Sequence, residues 1–210
     1  MSGQAHASHF ESGARQADAT LLGMWLFLAS ELLLFGGLFA LYAAGRFENP
    51  SAFRQGVALA AKTVGSLNTG ILLVSSSTVA VSVEFLRRDQ RHASVICLLT
   101  TVLLGAAFLA LKFSEYAEHF KAGIRPGGAG PFFATHATPG LALFWTLYFF
   151  STGLHAVHVS IGLLLLGSTA WRVSQGAITS ARLYSLQNVA LYWHLIDLIW
   201  VFLWPLYYLA

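Results

Sequence analysis

Residues 21–44 read LLGMWLFLASELLLFGGLFALYAA, and this stretch decides the fold class of the chain. Ahead of its tyrosine, the stretch contains a single ionisable side chain, Glu31. A helix rises about 1.5 Å per residue, so the stretch is long enough to cross a hydrocarbon core about 30 Å thick. The sequence therefore predicts a transmembrane helix that carries one carboxyl group near the middle of the bilayer.

Glu31 is the first candidate site residue. A charge inside a membrane is costly, so intramembrane acids usually face protein or water, and many of them serve a function. One interpretation is structural: a partner on another helix satisfies the carboxyl group and the pair holds the bundle together. The other is a proton-handling or lipid-contacting site. The stretch by itself favours the structural interpretation.

Composition agrees that the chain is built for a membrane. Hydrophobic residues make up 56% of it and charged residues 10%, and the mean hydropathy is +0.64. Soluble domains carry about 25% charged residues. The net charge of +3 comes from scattered lysines and arginines. No basic run is dense enough to follow a nucleic-acid backbone, which argues against nucleic-acid partners. The single cysteine, Cys97, excludes an internal disulfide.

Four further apolar stretches follow the first one, separated by polar loops. We therefore predict an all-α, polytopic membrane protein. Residues 1–20 are expected to form a polar, mostly unstructured tail, and residues 21–210 a single five-helix membrane domain. The loop over residues 45–64 is long enough for a short surface helix. The predicted transmembrane helices cover residues 21–44, 65–86, 93–113, 141–171 and 187–209.

Lysine and arginine counts test the orientation, because cytoplasmic loops are enriched in both. With five helices the termini lie on opposite sides, and each side receives six of these residues. The shorter loops on the side of the N-terminus weakly favour that side as cytoplasmic. The side of the N-terminus holds Arg15, Arg87, Arg88, Arg91, Arg172 and Arg182, and the other side holds Arg46, Arg54, Lys62, Lys112, Lys121 and Arg125.

Polar residues also occur inside the last two predicted helices. His155 and His158 are three residues apart, as are His194 and Asp197, so each pair is expected to share a helix face. Histidines on facing helices could hold a haem, and three histidines with acids could hold a metal. Alternatively each histidine bonds a carboxylate or a carbonyl of a neighbouring helix, as membrane burial requires. The spacing favours this last interpretation, with His158 or another histidine as the partner of Glu31.

Five motifs taken together resemble subunit III of the haem–copper terminal oxidases, in its five-helix bacterial form. Their order and spacing match that family from about residue 20 onward. The combination of an intramembrane glutamate, an HxxH motif and a YWHxxDxxW motif is what makes the resemblance specific. The motifs are WLFLASELLLFGGLFALY (25–42), SLNTGILLVSS (66–76), KFSEY (112–116), GLHAVHVSIG (153–162) and YWHLIDLIWVFLWPLYYL (192–209).

The resemblance implies a subunit of a cytochrome c or quinol oxidase that reduces oxygen to water and pumps protons. It implies no catalytic residue, cofactor or metal in this chain, because haem and copper belong to partner subunits. The implied partners are subunit I, subunit II, small subunits and membrane phospholipids. By the same resemblance the N-terminus is cytoplasmic and the C-terminus outside, in the bacterial cytoplasmic (inner) membrane. By the resemblance, Glu31 corresponds to the family's buried glutamate and Glu115 to the acid at the end of its third span. The family's other internal polar positions correspond to His155, His158, His194 and Asp197.

The chain departs from the family in one respect. Many members have two further N-terminal helices, which splay away to form a lipid-filled cleft. Here the match starts at their third helix, so either the cleft is absent or another chain supplies its wall. The alternative functions are a subunit-III-like partner of a nitric oxide reductase, a haem-binding membrane anchor, and a proton-coupled transporter. No internal repeat supports the transporter.

Overall fold

The computed structural model describes residues 13–136 and 138–209, and within them the chain forms helices and connecting segments without a β-strand. Five of the helices are long and apolar enough to cross a membrane, namely α1 from Leu22 onward, α3, α4, α6 and α7. The all-α fold and the five predicted spans are thus confirmed. The seven α-helices are α1 (Gly13–Glu48), α2 (Pro50–Leu59), α3 (Lys62–Arg87), α4 (Arg91–Lys121), α5 (Phe132–Thr135), α6 (Leu141–Ser174) and α7 (Tyr184–Tyr208).

The largest differences from the predicted helix boundaries occur at the start of α1 and at the end of α4. Helix α1 already begins at Gly13, inside the segment predicted to be an unstructured tail. No proline interrupts the sequence between Gly13 and the apolar stretch, so the helix can extend backwards from it. Residues 1–12 of the predicted tail lie outside the described residues. Helix α4 runs on to Lys121, well past the predicted end at residue 113, because its polar last turns pack inside the bundle.

Helices α3, α4, α6 and α7 form a four-helix bundle in which each helix packs against two others of the four. Helix α3 shows why: its buried residues recur every three or four positions, as in Leu72, Ser75, Val79 and Ser82. Such a seam faces a neighbouring helix over its whole length. Helix α1 lies outside this bundle, against α6 and α7. It is therefore the transmembrane helix with the most exposed surface.

The bundle closes around Trp193, which is fully buried on α7. Two glycines make room for its ring. A Cβ atom added at Gly105 of α4 or at Gly162 of α6 would lie 2.7 or 2.8 Å from Trp193. Small residues allow membrane helices to approach closely in this way. The Trp193 indole also donates a hydrogen bond of 3.1 Å to the Ser75 hydroxyl, which joins α7 to α3.

Aromatic side chains join the helix ends on the side where α7 ends. Helix α2, the short helix predicted in the first loop, inserts Phe53 edge-on against Tyr42 and Phe144, with ring centroids 5.1 and 5.4 Å apart. The Tyr42 hydroxyl donates to the Leu206 carbonyl and so ties α1 to the last turns of α7. Helix α1 is thus held at this end by aromatic packing and, near its middle, by the contact described next.

Candidate functional site

Glu31 of α1 and His158 of α6 meet near the middle of their helices. The Glu31 Oε2 atom lies 2.8 Å from His158 Nε2. The two side chains are 14% and 13% exposed, so the pair is largely but not fully enclosed. This is the contact that the sequence predicted for Glu31. It is a direct polar connection between α1 and the four-helix bundle.

The other ring nitrogen of His158 defines how this pair can share a proton. His158 Nδ1 lies 2.8 Å from the Leu154 carbonyl, which can only accept, so Nδ1 carries a hydrogen. The contact with Glu31 then holds a single proton, either on His158 Nε2 or on the carboxyl group. Both arrangements keep a hydrogen bond in place, and the proton can change sides without any movement of the helices.

A cavity of about 400 Å³ opens beside the pair, between α1, α6 and the beginning of α7. Its wall is almost entirely apolar apart from the two paired side chains and an asparagine. The Glu31 carboxyl group is thus reached from a space that an acyl chain could fill. The lining residues are Met24, Phe27, Glu31, His158, Ile161, Leu165, Asn188, Val189 and Tyr192.

His155 does not join His158, although the two were predicted to share a helix face. Its ring lies between Phe108 of α4 and Trp200 of α7, with centroids 5.7 and 5.1 Å away. The side chains of residues three apart point in directions that differ by roughly a sixth of a turn around the helix axis. On α6 this difference is enough to direct the two histidines toward different neighbouring helices. His155 is fully buried. Neither of its ring nitrogens has a hydrogen-bond partner among the described residues, so the predicted carboxylate or carbonyl partner is wrong for this histidine.

His194 and Asp197 also have different surroundings. His194 Nδ1 lies 2.7 Å from the Ser76 hydroxyl of α3, so its partner is a hydroxyl group where a carboxylate or a carbonyl was predicted. The Asp197 side chain is buried, with 4% of the residue exposed. In the part of the chain that the structure describes, neither Asp197 oxygen makes a well-formed hydrogen bond, but the Ser76 hydroxyl that contacts His194 also lies beside this carboxyl group. The two residues therefore do not form a pair.

Glu115 lies in a buried network that the sequence did not predict. Lys112 Nζ donates to Glu115 Oε2 at 3.0 Å and to the Tyr148 and Tyr208 hydroxyls at 2.9 and 2.6 Å. Both hydroxyls also contact Glu115 Oε1, at 2.8 and 2.9 Å. The Lys112 and Glu115 side chains are only 1% and 2% exposed. Lys112 was predicted to mark the exit of the third span, and the structure corrects this to a position inside the bundle.

One signal in the sequence could have revealed this network. Glu115 and His119 follow Lys112 at the spacing of the buried residues on α4, which include Thr101, Gly105 and Phe108. The polar residues thus continue the buried face of the helix instead of ending it. The tyrosines on the other two helices offered no comparable signal, because aromatic residues are common at the ends of membrane helices.

The described histidines of the membrane helices do not come together in one cluster. Within residues 13–136 and 138–209, no three His, Cys, Asp or Glu side chains lie close enough together to hold a metal ion. His158 uses both ring nitrogens on Leu154 and Glu31, and His194 contacts Ser76. His158 and His194 are therefore each held by another partner, and His155, the other histidine considered for a haem, lies between the Phe108 and Trp200 rings.

The fold and these contacts define a polytopic helical membrane protein with its polar groups inside the bundle. A family model described as cytochrome c oxidase subunit III matches residues 9–210. The chain belongs to the cytochrome c oxidase subunit III family, as its motifs predicted.

Several bacterial proteins are similar to it over nearly their whole length. A probable quinol oxidase subunit 3 of Staphylococcus haemolyticus is 27% identical over 95% of this chain and 92% of its own length. The protein of the same name from Staphylococcus epidermidis is 26% identical over 97% of this chain and 94% of its own length. The one from Staphylococcus aureus is 25% identical, again over 95% of this chain and 92% of its own length.

Proposed function

We propose that this chain is the non-catalytic subunit III of a respiratory haem–copper oxidase, which reduces oxygen to water and pumps protons. It supports the stability of subunit I and its uptake of protons. Family membership over residues 9–210 supports this proposal, together with the Glu31–His158 pair near the centre of the membrane. Similar proteins are named as quinol oxidase subunits, which favours an oxidase over a nitric oxide reductase and quinol over cytochrome c as the electron donor.

Within that complex we assign Glu31 a structural role: its pair with His158 fastens α1 to the bundle. A glutamine can donate its amide hydrogen to His158 Nε2 and keep the hydrogen bond. The substitution Glu31→Gln should therefore leave oxygen turnover, its duration and the retention of the subunit close to normal. Turnover of the purified complex over many cycles is the measurement. A clear loss of rate or duration in a fully assembled Glu31→Gln complex would instead assign Glu31 to proton uptake.

Haem and copper belong to the partner subunits in this proposal. The observation behind it is that His158 and His194 contact side chains of other helices and that His155 is enclosed in the bundle. A visible spectrum and a metal analysis of the separated subunit should show neither haem nor copper in stoichiometric amount. A haem band that stays with this chain would refute the proposal. Comparing quinol and cytochrome c as substrates of the intact complex would test the choice of electron donor separately.

The N-terminus lies in the cytoplasm and the C-terminus outside, in a bacterial cytoplasmic membrane. Placing Lys112 inside the bundle supports this orientation, because it removes one residue from the outer side. The equal count of lysines and arginines on the two sides becomes six on the side of the N-terminus against five on the other side. The exposed apolar faces of the helices are then available to subunit I, subunit II and phospholipid. Reporter fusions at the two termini would test the orientation.

A further inference from the structure

One face of α7 is left uncovered by the rest of the described chain. Helix α7 packs against α3, α6 and α1, while α1 and α3 do not pack against each other within the described residues. Leu198 and Phe202 are 49% and 54% exposed, and His194 is partly exposed. These three residues follow one another at intervals of four, so they lie on one side of the helix. We call them the α7 strip.

The apolar part of the strip borders a cavity of about 200 Å³ between α7 and α1. Leu198 and Phe202 belong to its wall on α7, and the wall on α1 includes Gly36, where an added Cβ atom would meet nothing within 4 Å. Every other residue of the wall is also apolar. An apolar cavity of roughly 150 Å³ already holds a benzene molecule, so this one has room for a leucine or phenylalanine side chain.

His194 adds a polar group to the same strip, one helical turn before Leu198. Its Nδ1 atom lies 2.7 Å from the Ser76 hydroxyl of α3, and this contact orients the ring. Its Nε2 atom makes no hydrogen bond to residues 13–136 and 138–209 and is not enclosed by them, in contrast to both ring nitrogens of His155. The strip thus presents a hydrogen-bonding atom at the surface of the bundle, next to an apolar cavity.

The depth of His194 decides which kind of partner fits the strip. Ser76 and His194 lie near the middle of α3 and α7, respectively. At that depth a lipid is hydrocarbon, which offers no hydrogen bond to a polar group. Another membrane helix can offer one, because polar side chains bond across helix contacts in membranes. The Ser76 hydroxyl can donate or accept, so the best partner for His194 Nε2 is a hydroxyl or carboxamide side chain, which can also do both.

We propose that the α7 strip receives a transmembrane helix of a partner subunit. That helix presents a hydroxyl or carboxamide side chain to His194 and, about one turn further along, an apolar side chain to the cavity between α7 and α1. The inference rests on the proposed function, under which this chain is assembled with other membrane subunits. It adds the face of the bundle at which one of them is bound and the side chains that recognise it.

The first test is photo-crosslinking within the purified complex. The amino acid benzoylphenylalanine replaces Leu198 in one variant and Leu103 in a matched control. Leu103 is 70% exposed on α4, the helix diagonally opposite α7 in the four-helix bundle. Illumination should join position 198 to a transmembrane segment of a co-purifying subunit, identified by mass spectrometry. Position 103 should yield severalfold less of any product with a subunit.

The outcomes of this test separate the inference from the proposed function. Cross-links from position 198 to phospholipid, to a second copy of this chain or to nothing would overturn the inference. Equal cross-linking to subunits from both positions would overturn it as well. Capture of a partner helix from position 103 alone would refute the placement and leave the proposed function standing. A preparation of the unmodified protein without any other membrane subunit would count against the proposed function itself.

The second test examines the polar contact of the strip. An asparagine amide reaches the position of Nδ1, whereas a glutamine amide reaches that of Nε2. His194→Asn should therefore keep the contact with Ser76 and lose the one with the partner, so that the share of this chain retained in the complex after detergent washing falls severalfold. His194→Gln should be retained nearly as well as the unmodified chain, as should the control His92→Asn at an exposed position of α4. Equal retention of His194→Asn and His194→Gln would overturn the proposed contact.

Discussion

Glu31 and Glu115 both lie in membrane-spanning helices with little exposed surface, and their surroundings differ in a way that separates two kinds of buried polar contact. Glu31 joins two helices through one partner, His158, and both side chains remain about one-seventh exposed, beside an open cavity. Glu115 contacts one lysine and two tyrosines from three helices in an almost fully enclosed site. The first contact fastens an outer helix to a finished bundle. The second is part of the bundle itself.

This difference determines how much stability we expect the protein to lose when each contact is removed. Breaking a fully buried ion pair leaves a charge with no solvent to reach, at a cost of about 3–5 kcal/mol. Removing one partner from a more open hydrogen bond costs about 1–3 kcal/mol. Substitutions at Lys112 should therefore destabilise this chain more than substitutions at Glu31 do.

The largest effect is expected from Lys112→Met, which removes the lysine from the buried Glu115 and leaves it the two tyrosine hydroxyls and His119, whose Nε2 atom lies 3.7 Å away. We expect a loss of about 3–5 kcal/mol in the stability of the subunit. The measurement is the fraction of this chain retained in the purified complex on heating. Lys121→Met, at the exposed end of the same helix, is the matched control and should have little effect. Equal retention of the two variants would contradict the role of the buried pair.

Combining Lys112→Met with Glu115→Gln sharpens the test. Replacing both members of a buried ion pair is often close to neutral, because no charge is left without a partner. The double variant should therefore recover most of the retention that Lys112→Met loses. A double variant as unstable as the single one would mean that the shape of Lys112, and not its charge, stabilises the bundle.

Glu31→Leu is expected to have the next largest effect. It leaves His158 Nε2 without its partner and should cost about 1–3 kcal/mol, seen as weaker retention of the subunit. The control is Glu84→Leu, because Glu84 forms only exposed contacts with Arg87 and Arg88. Surface ion pairs of that kind contribute about 0–1 kcal/mol. If the two variants behaved alike, the contact between α1 and α6 would not be what fastens α1.

Tyr208→Phe should have a smaller effect, because it removes one hydroxyl and leaves the ion pair intact. The lost hydrogen bonds to Lys112 and Glu115 predict a destabilisation of about 0.5–1.5 kcal/mol, since both partners keep other contacts. The exposed Tyr184 of the same helix provides the control Tyr184→Phe. A neutral Tyr208→Phe would show that the aromatic ring, without its hydroxyl, is sufficient for packing.

Glu31→Gln should have the smallest effect of the series on retention. The amide preserves both the shape of the side chain and a hydrogen bond to His158. A loss as large as that of Glu31→Leu would show that the contact requires a negative charge. In that case the proton it shares would lie on the histidine.

The sequence predicted the first of these two contacts and missed the second. Glu31 stands alone in an apolar stretch, and depth along the helices is enough to suggest His158 as its partner. The ion pair was not predicted because Lys112 and Glu115 are close to a polar loop. A charge near the end of a membrane helix ordinarily marks the point where the helix leaves the membrane. The spacing of these two residues continues the buried face of α4, but the side chains that enclose them, Tyr148 of α6 and Tyr208 of α7, cannot be recognised from the sequence alone.

The five spans were predictable because their length and hydropathy follow directly from the thickness of the bilayer. The direction in which each histidine points could not be predicted in the same way. His155 and His158 are three residues apart, slightly less than one helical turn. Even so, His155 contacts α4 and α7 while His158 contacts α1. That outcome depends on which helices flank α6, and a single sequence does not contain that arrangement.

The position of Trp193 between Gly105 and Gly162 bears on how the protein is made. Helix α7 is synthesised after the other six helices, and it carries the tryptophans that bond Ser75 and Thr69 of α3. Until α7 leaves the translocon, those hydroxyls face a groove between the earlier helices. Both hydroxyls also donate to carbonyl groups of α3 itself, so the earlier helices keep these polar groups satisfied in lipid before α7 arrives to fill the groove.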